Sequence, residues 1–206
     1  MADNEAYPVQ IQRKMILIGD GATGKTCLLY TFREGQFPPD NRYIPTVFDT
    51  CIVDMEVRGH PVELSLWDTA GQEEFDRLRM MCYPGVNIVL LCFSVDSPDS
   101  LENAYEKWFR EATKQAKGAP IILVALKTDL RADQSTIEHL ARFGQAPVTY
   151  AQGQAVAKRM NAAKYVECSS IRNLNIRQVF ETAANLAVSP EDLPNAKPES
   201  GCCVIL

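Results

Sequence analysis

The residues Gly19-Asp20-Gly21-Ala22-Thr23-Gly24-Lys25-Thr26 fit the spacing of a glycine-rich loop that closes on lysine and threonine. An apolar run, Met15-Ile16-Leu17-Ile18, precedes them, and a helix-compatible stretch opening at Cys27 follows. Strand, turn and helix in that order form a phosphate-binding loop. Its glycines let backbone N–H groups point inward at a polyphosphate, and the positive end of the following helix dipole adds to them. In such a loop Lys25 neutralises the outer phosphates and the Thr26 hydroxyl is offered to Mg²⁺. A second group, Asp68-Thr69-Ala70-Gly71-Gln72, follows another strand-like run. An acid at a strand's carboxyl end can hold Mg²⁺ through water, and Gly71 can bring its N–H close to a terminal phosphate.

Two further strand ends carry polar residues, Lys127-Thr128-Asp129 and Ser169-Ser170. A carboxylate such as Asp129 only accepts hydrogen bonds. Guanine offers it two adjacent donors, whereas adenine presents an acceptor, so the pattern favours guanine. Backbone N–H groups near Ser169 and Ser170 could donate to the guanine carbonyl, and the stem of Lys127 could lie along the base.

These groups need a scaffold that brings strand ends together. Strands are expected over 14–18, 49–57, 62–67, 88–93, 121–126 and 165–167, with 49–57 and 62–67 joined as a hairpin through Arg58-Gly59-His60-Pro61. Helices alternate with the rest. One follows the phosphate loop to Glu34-Gly35, and another opens at Ser97-Pro98 with Leu101, Tyr105, Trp108, Phe109 and Ala112 on a core-facing stripe. Thr149 with Gln152, and Asn175 with Gln178, have capping-box spacing. The expectation is therefore an α/β fold: a six-stranded, mostly parallel sheet with helices on both faces and one antiparallel edge. Residues 1–12 read as a flexible leader, 13–188 as one nucleotide-binding domain and 189–206, rich in proline and acid, as a flexible tail.

Composition narrows the class. The chain has 206 residues, enough to bury a full core, and a net charge of −5, which argues against a nucleic-acid partner. Its seven cysteines are scattered without a C-x-x-C pair, and they read as reduced intracellular thiols. No apolar run is long enough to span a bilayer.

Taken with Tyr43-Ile44-Pro45-Thr46-Val47-Phe48-Asp49, the run from Trp67 through Asp68-Thr69-Ala70-Gly71-Gln72 to Arg79, and the terminal Cys203-Val204-Ile205-Leu206, the chain resembles the Ras superfamily of small GTPases, most closely its Rho branch. The resemblance implies a P-loop NTPase fold, GTP and GDP as ligands, Mg²⁺ as cofactor, and hydrolysis of GTP. It implies that Gly21, Ala22, Thr23, Gly24, Lys25, Thr26, Cys27, Phe37, Tyr43, Thr46, Gly71, Lys127, Asp129, Ser169 and Ser170 contact nucleotide. Phe37 resembles the aromatic that packs edge-on against guanine. Metal would be held by Thr26, Thr46 and Asp68, and catalysis would fall to Gln72, Lys25, Gly71 and Thr46. Two switch segments follow, about 36–48 and 68–80, and residues 133–145 stand where Rho proteins carry an insert helix. Implied partners are an exchange factor, a GTPase-activating protein, a dissociation inhibitor and effectors meeting Val47, Phe48 and Asp49. Control of actin organisation, cell polarity and secretion is the implied work.

The end of the chain fits a C-a-a-X prenylation site at Cys203, with Cys202 as a candidate palmitoylation site. Its expected location is the cytoplasmic face of the cell membrane, with a cytosolic pool. Three departures from the family pattern stand out. The segment from Phe37 to Tyr43 is two residues longer, Leu126 replaces the Asn or Thr of N/T-K-x-D, and Ser170 replaces Ala. Two rival readings remain open: a P-loop kinase acting on a small acceptor, and a GTP-bound scaffold that hydrolyses poorly.

Overall fold

The computed structural model describes residues 11–39 and 46–193. Tyr43, Cys202 and Cys203 lie outside those residues. A six-stranded sheet runs in the order β2-β3-β1-β4-β5-β6. The strands are β1 Ile11–Ile18, β2 Phe48–Val57, β3 His60–Thr69, β4 Ile88–Ser94, β5 Ile121–Leu126 and β6 Lys164–Glu167. Only β2 is antiparallel to its neighbour; the other pairings are parallel.

Side-chain alternation along the strands divides the core between two faces. Met15 and Leu17 pack on one face with α1 (Lys25–Glu34) and α7 (Ile176–Ala187), where Phe32 stacks on Phe180 at 3.9 Å. Ile16 and Ile18 pack on the other with the helix that starts at α3 (Pro98–Asn103), and with residues of α6 (Tyr150–Arg159). β4 and β5 are buried along their whole length, as central strands covered on both faces must be. Each fully buried Leu or Ile there is worth about 1.5–3 kcal/mol.

Local chemistry explains where the elements differ from expectation. β1 begins at Ile11 rather than at 14, because Ile11 already pairs with Val62 of β3. The hairpin turn is only Arg58-Gly59, both at positive φ (52° and 78°), so His60 and Pro61 belong to β3 and pair with Val57 and Glu56. Thr149 and Gln152 do form a capping box. Asn175 does not: it sits at φ 57° and donates its side-chain amide to Glu167 O instead. The helix from Pro98 continues as a π-helical stretch, Ala104–Phe109, before α4 (Arg110–Gln115). After β5 a 3₁₀ turn, Thr128–Ala132, leads into the 133–145 segment, which carries α5 (Gln134–Ala141), capped by Asp133. Within residues 73–84, whose sequence shows no clean period, lie a 3₁₀ turn Glu73–Phe75 and α2 (Asp76–Met80).

Residues 189–193, read from composition as linker, are packed. Ser189 and Asp192 cap the short turn Pro190–Asp192, Arg13 pairs with Asp192 and donates to Ala187 O at 2.7 Å, and Leu193 rests against the core. The arginine on β1 supplies the fixed charge that the acidic stretch docks on. Among the described residues no helix is long and apolar enough to cross a membrane.

Candidate functional site

The carboxyl ends of β1, β3, β4 and β5 meet around the glycine loop. That loop requires glycine for steric reasons. A Cβ on Gly19, at φ 139°, would lie 2.1 Å from Cys92 O of β4. Gly24, at φ 106°, caps α1 and delivers Lys25 into the first turn. Lys25 is buried, and its Nζ donates to Gly19 O and Asp20 O, each at 2.8 Å. Burial lowers its pKa, while the negative charge of Asp68 opposes that shift. Two loop carbonyls thus hold the ammonium at the loop's centre, where phosphate oxygens would be stronger partners.

Thr26, Thr46 and Asp68 converge. Thr26 Oγ1 lies 2.6 Å from Thr46 Oγ1 and donates to Asp68 Oδ2 at 2.5 Å. Burial pushes the Asp68 carboxyl up, and its Oδ1 is buried without a hydrogen-bond partner among the described residues. A buried, unpartnered carboxylate oxygen beside two clustered hydroxyls fits a hard divalent cation. The two hydroxyls stand close to the ~3 Å separation of neighbouring ligands around Mg²⁺, whose bonds are about 2.1 Å long. No cluster of three or more His, Cys, Asp or Glu residues suited to a metal occurs among the described residues. The donor set is instead hydroxyl, carboxylate and room for water and phosphate, which suits Mg²⁺.

Gly71 approaches the loop so closely that a Cβ there would lie 2.2 Å from Gly21 N. The Gln72 side chain then rests over Gly21, with its Cδ 3.6 Å from where a Gly21 Cβ would stand. Opposite, the Leu126 Cδ1 and Lys127 Cε lie 3.9 and 3.8 Å from the Cβ position of Gly24. Lys127, at φ 56°, pairs with Asp96 at 3.2 Å. Thr128 donates from N and Oγ1 to Cys168 O, and Ser169 Oγ donates to Asp129, which ties the two base-side loops together. The Ser169 N–H is taken by Leu174 O at 3.1 Å, so Ser169 acts by holding Asp129 rather than by offering its own backbone donor.

The cleft between these walls has a volume of about 670 Å³. Gly21, Ala22, Gly24, Lys25, Thr26, Cys27, Phe37, Thr46, Gly71, Gln72 and Lys127 line it. Thr23, within the loop, is buried and not part of that lining, its hydroxyl donating to Asp20 O. Asp129 borders an adjoining open cavity of about 420 Å³, and Ile171 is shared by both.

Sequence reasoning missed several participants. Ile171 and Tyr30 line the cleft without any motif to mark them. Asp96 pairs with Lys127 across 31 residues of chain. Trp108, read as core packing, is indeed fully buried, yet its indole N–H donates to Asp20 of the loop. The helical stripe gave no sign of that second role.

Comparison with known proteins agrees with this geometry. The Ras family model matches residues 14–189. The chain is 49% identical to GTP-binding protein RHO1 of Candida albicans over 199 residues, 97% of this chain and 98% of that protein. It is 49% identical to GTP-binding protein rho1 of Schizosaccharomyces pombe, over 96% of this chain and 98% of that one. With GTP-binding protein RHO1 of Saccharomyces cerevisiae the identity is 52%, over 91% and 88%.

Proposed function

Because the chain belongs to the Ras family, and is a Rho-type GTPase that binds GTP and GDP and hydrolyses GTP, we propose that it works as a slow Mg²⁺-dependent timer read by effector proteins. The observation that carries this reading is the convergence of Lys25 with the Thr26, Thr46 and Asp68 oxygens at the mouth of one cleft.

Thr26 and Thr46 would hold Mg²⁺ directly and Asp68 through water, and the ion would neutralise charge on the β- and γ-phosphates. Lys25 would exchange its loop carbonyls for phosphate oxygens. The loop N–H groups and that of Gly71 would stabilise charge that grows on the γ-phosphoryl oxygens in the transition state. Gln72, lying over Gly21, would orient the attacking water. On the base side Asp129 would accept from guanine and the Lys127 stem would cover the ring. The Ser170 N–H would serve the base carbonyl, and Phe37 would pack against the edge.

Among the described residues the cleft lining includes no arginine. Hydrolysis without an arginine finger is slow, on the order of 10⁻⁴ s⁻¹, and a partner's arginine accelerates it roughly 10³- to 10⁵-fold. An activating protein would therefore end the signal, an exchange factor would start it, and a dissociation inhibitor would hold the soluble pool. Effectors would meet the exposed Val47, Phe48 and Asp49, together with the exposed Leu78 of the second switch segment. The proposed cellular work is organisation of actin, polarity and secretion. Prenylation of Cys203, reinforced by palmitoylation of Cys202, would hold the protein at the cytoplasmic membrane face, since one lipid chain anchors only weakly. Cys202→Ser should then raise the soluble fraction in cells, and an unchanged fraction rejects the second lipid.

The test of the main reading is direct. Protein purified without added nucleotide should carry GDP, and single-turnover hydrolysis should fall at least about 10-fold in Gln72→Leu. Bound GTP would favour the scaffold, which Leu126 in the base loop keeps open. Bound adenine nucleotide would favour a kinase. Equal rates would remove Gln72 from the mechanism.

A further inference from the structure

Asp20 places a carboxylate inside a loop built to receive a polyphosphate, where a second anion works against binding. The structure turns that carboxylate aside. Its Oδ1 accepts from Trp108 Nε1 at 2.6 Å and its Oδ2 from Asn103 Nδ2 at 2.7 Å. Both donors come from the helix after β4, which supplies none of the described residues that line the cleft.

Helix geometry makes this pairing informative. Residues 103 and 108 are five apart, so on an α-helix their side chains would diverge by about 140°. The π-helical stretch Ala104–Phe109 lies between them, and in a π-turn residues five apart share a face. The irregularity therefore aims both donors at one carboxylate. The ring also connects elsewhere. The Arg79 guanidinium lies 4.5 Å from the Trp108 ring centroid, and the Arg79 side chain is bonded to Glu111, Asp76 and Ala70 O. Ala70 precedes Gly71, which presses on Gly21 beside Asp20. The path thus closes on the loop it started from.

We propose that Trp108 and Asn103 are positioning residues of the phosphate loop, acting through Asp20. They hold its charge away from the nucleotide's outer phosphates and link the loop to the 70–80 segment through Arg79. The proposal rests on the reading that the loop at 19–26 receives the phosphates of GTP.

The test is a double-mutant cycle read as affinity for GDP and for a non-hydrolysable GTP analogue. Trp108→Phe keeps the buried ring and removes only the N–H donor. It should weaken the triphosphate at least about 10-fold and GDP by less, since the freed carboxylate meets more charge on the triphosphate. In an Asp20→Ala background, Trp108→Phe should cost nothing further. Asn103→Ala, at a solvent-exposed contact, should repeat the pattern without disturbing the core. An equal loss in both backgrounds makes Trp108 merely structural and overturns the proposal, as does no loss in either. If the wild type bound GDP and the triphosphate normally in those cases, only this proposal would fall. If the wild type bound no guanine nucleotide, the functional reading would fall with it.

Discussion

At Leu126 a single side chain changes how the two halves of the nucleotide cleft are joined. Among the described residues no hydrogen bond connects positions 126–129 to positions 19–26. Instead the Leu126 methyl and the Lys127 stem face Gly24, 3.9 and 3.8 Å from where a Cβ there would stand. Leu126→Asn would give the base loop a polar partner for the phosphate loop. Since a typical hydrogen bond nets 0.5–1.5 kcal/mol, GDP release should slow roughly 2- to 12-fold, measured with a fluorescent nucleotide. Faster release would mean that the apolar packing outweighs the missing bond. Gly71 is less forgiving. Because its Cβ would strike the Gly21 backbone, Gly71→Ala should keep residues 71–72 off the loop and depress single-turnover hydrolysis while leaving GDP bound. Residue identity announced most of this site, because Lys25, Thr26, Asp68 and Asp129 do chemistry that few other side chains can. Trp108 was not announced. Its indole buries like any core aromatic, and its one polar atom is directed by a tertiary contact 88 residues away in sequence.

Periodicity and punctuation marked the elements well where a local rule decides them, as at the Thr149 capping box and Gly35 after α1. They failed where a distant partner decides. Ile11 and Gln12 join β1 because β3 is there to pair with them. Asn175 stands at the N-cap of its helix without a side-chain capping bond, its amide drawn instead to Glu167 O. The π-stretch has no sequence signature at all. Contact between elements also yields a stability prediction. Gly153 on α6 sits so near β6 that a Cβ would lie 2.0 Å from the Tyr165 hydroxyl. That ring is held by a bond from its hydroxyl to Glu167 at 2.6 Å and by Tyr150 alongside. Gly153→Ala should therefore destabilise the fold by about 1–3 kcal/mol despite alanine's better helix propensity, seen as a lower thermal midpoint.

For the molecule as a whole, alternating strands and helices with one hairpin sufficed to foresee the layered sheet. The end of the packed domain was not foreseen, because proline and acid look the same in a linker and in a docked turn. The Arg13 guanidinium and the Ser189 hydroxyl hold the Asp192 carboxyl down to about 2. A depressed carboxyl contributes stability above its unfolded value near 3.9 and loses it as pH falls toward 2. Asp192→Asn should thus lower the thermal midpoint slightly at pH 7, by under about 1 kcal/mol for a partly exposed pair, with the difference fading as the pH falls through about 2.

That docked turn also sets a direction. Arg13 stands near the start of β1, whereas the cleft lies past its end, so the last described residues leave from the pole of the sheet opposite the nucleotide. If the proposed lipid anchor held that pole against a bilayer, the cleft would face away from it, and a regulator arriving from the cytosol could work on it without lifting the protein from its berth.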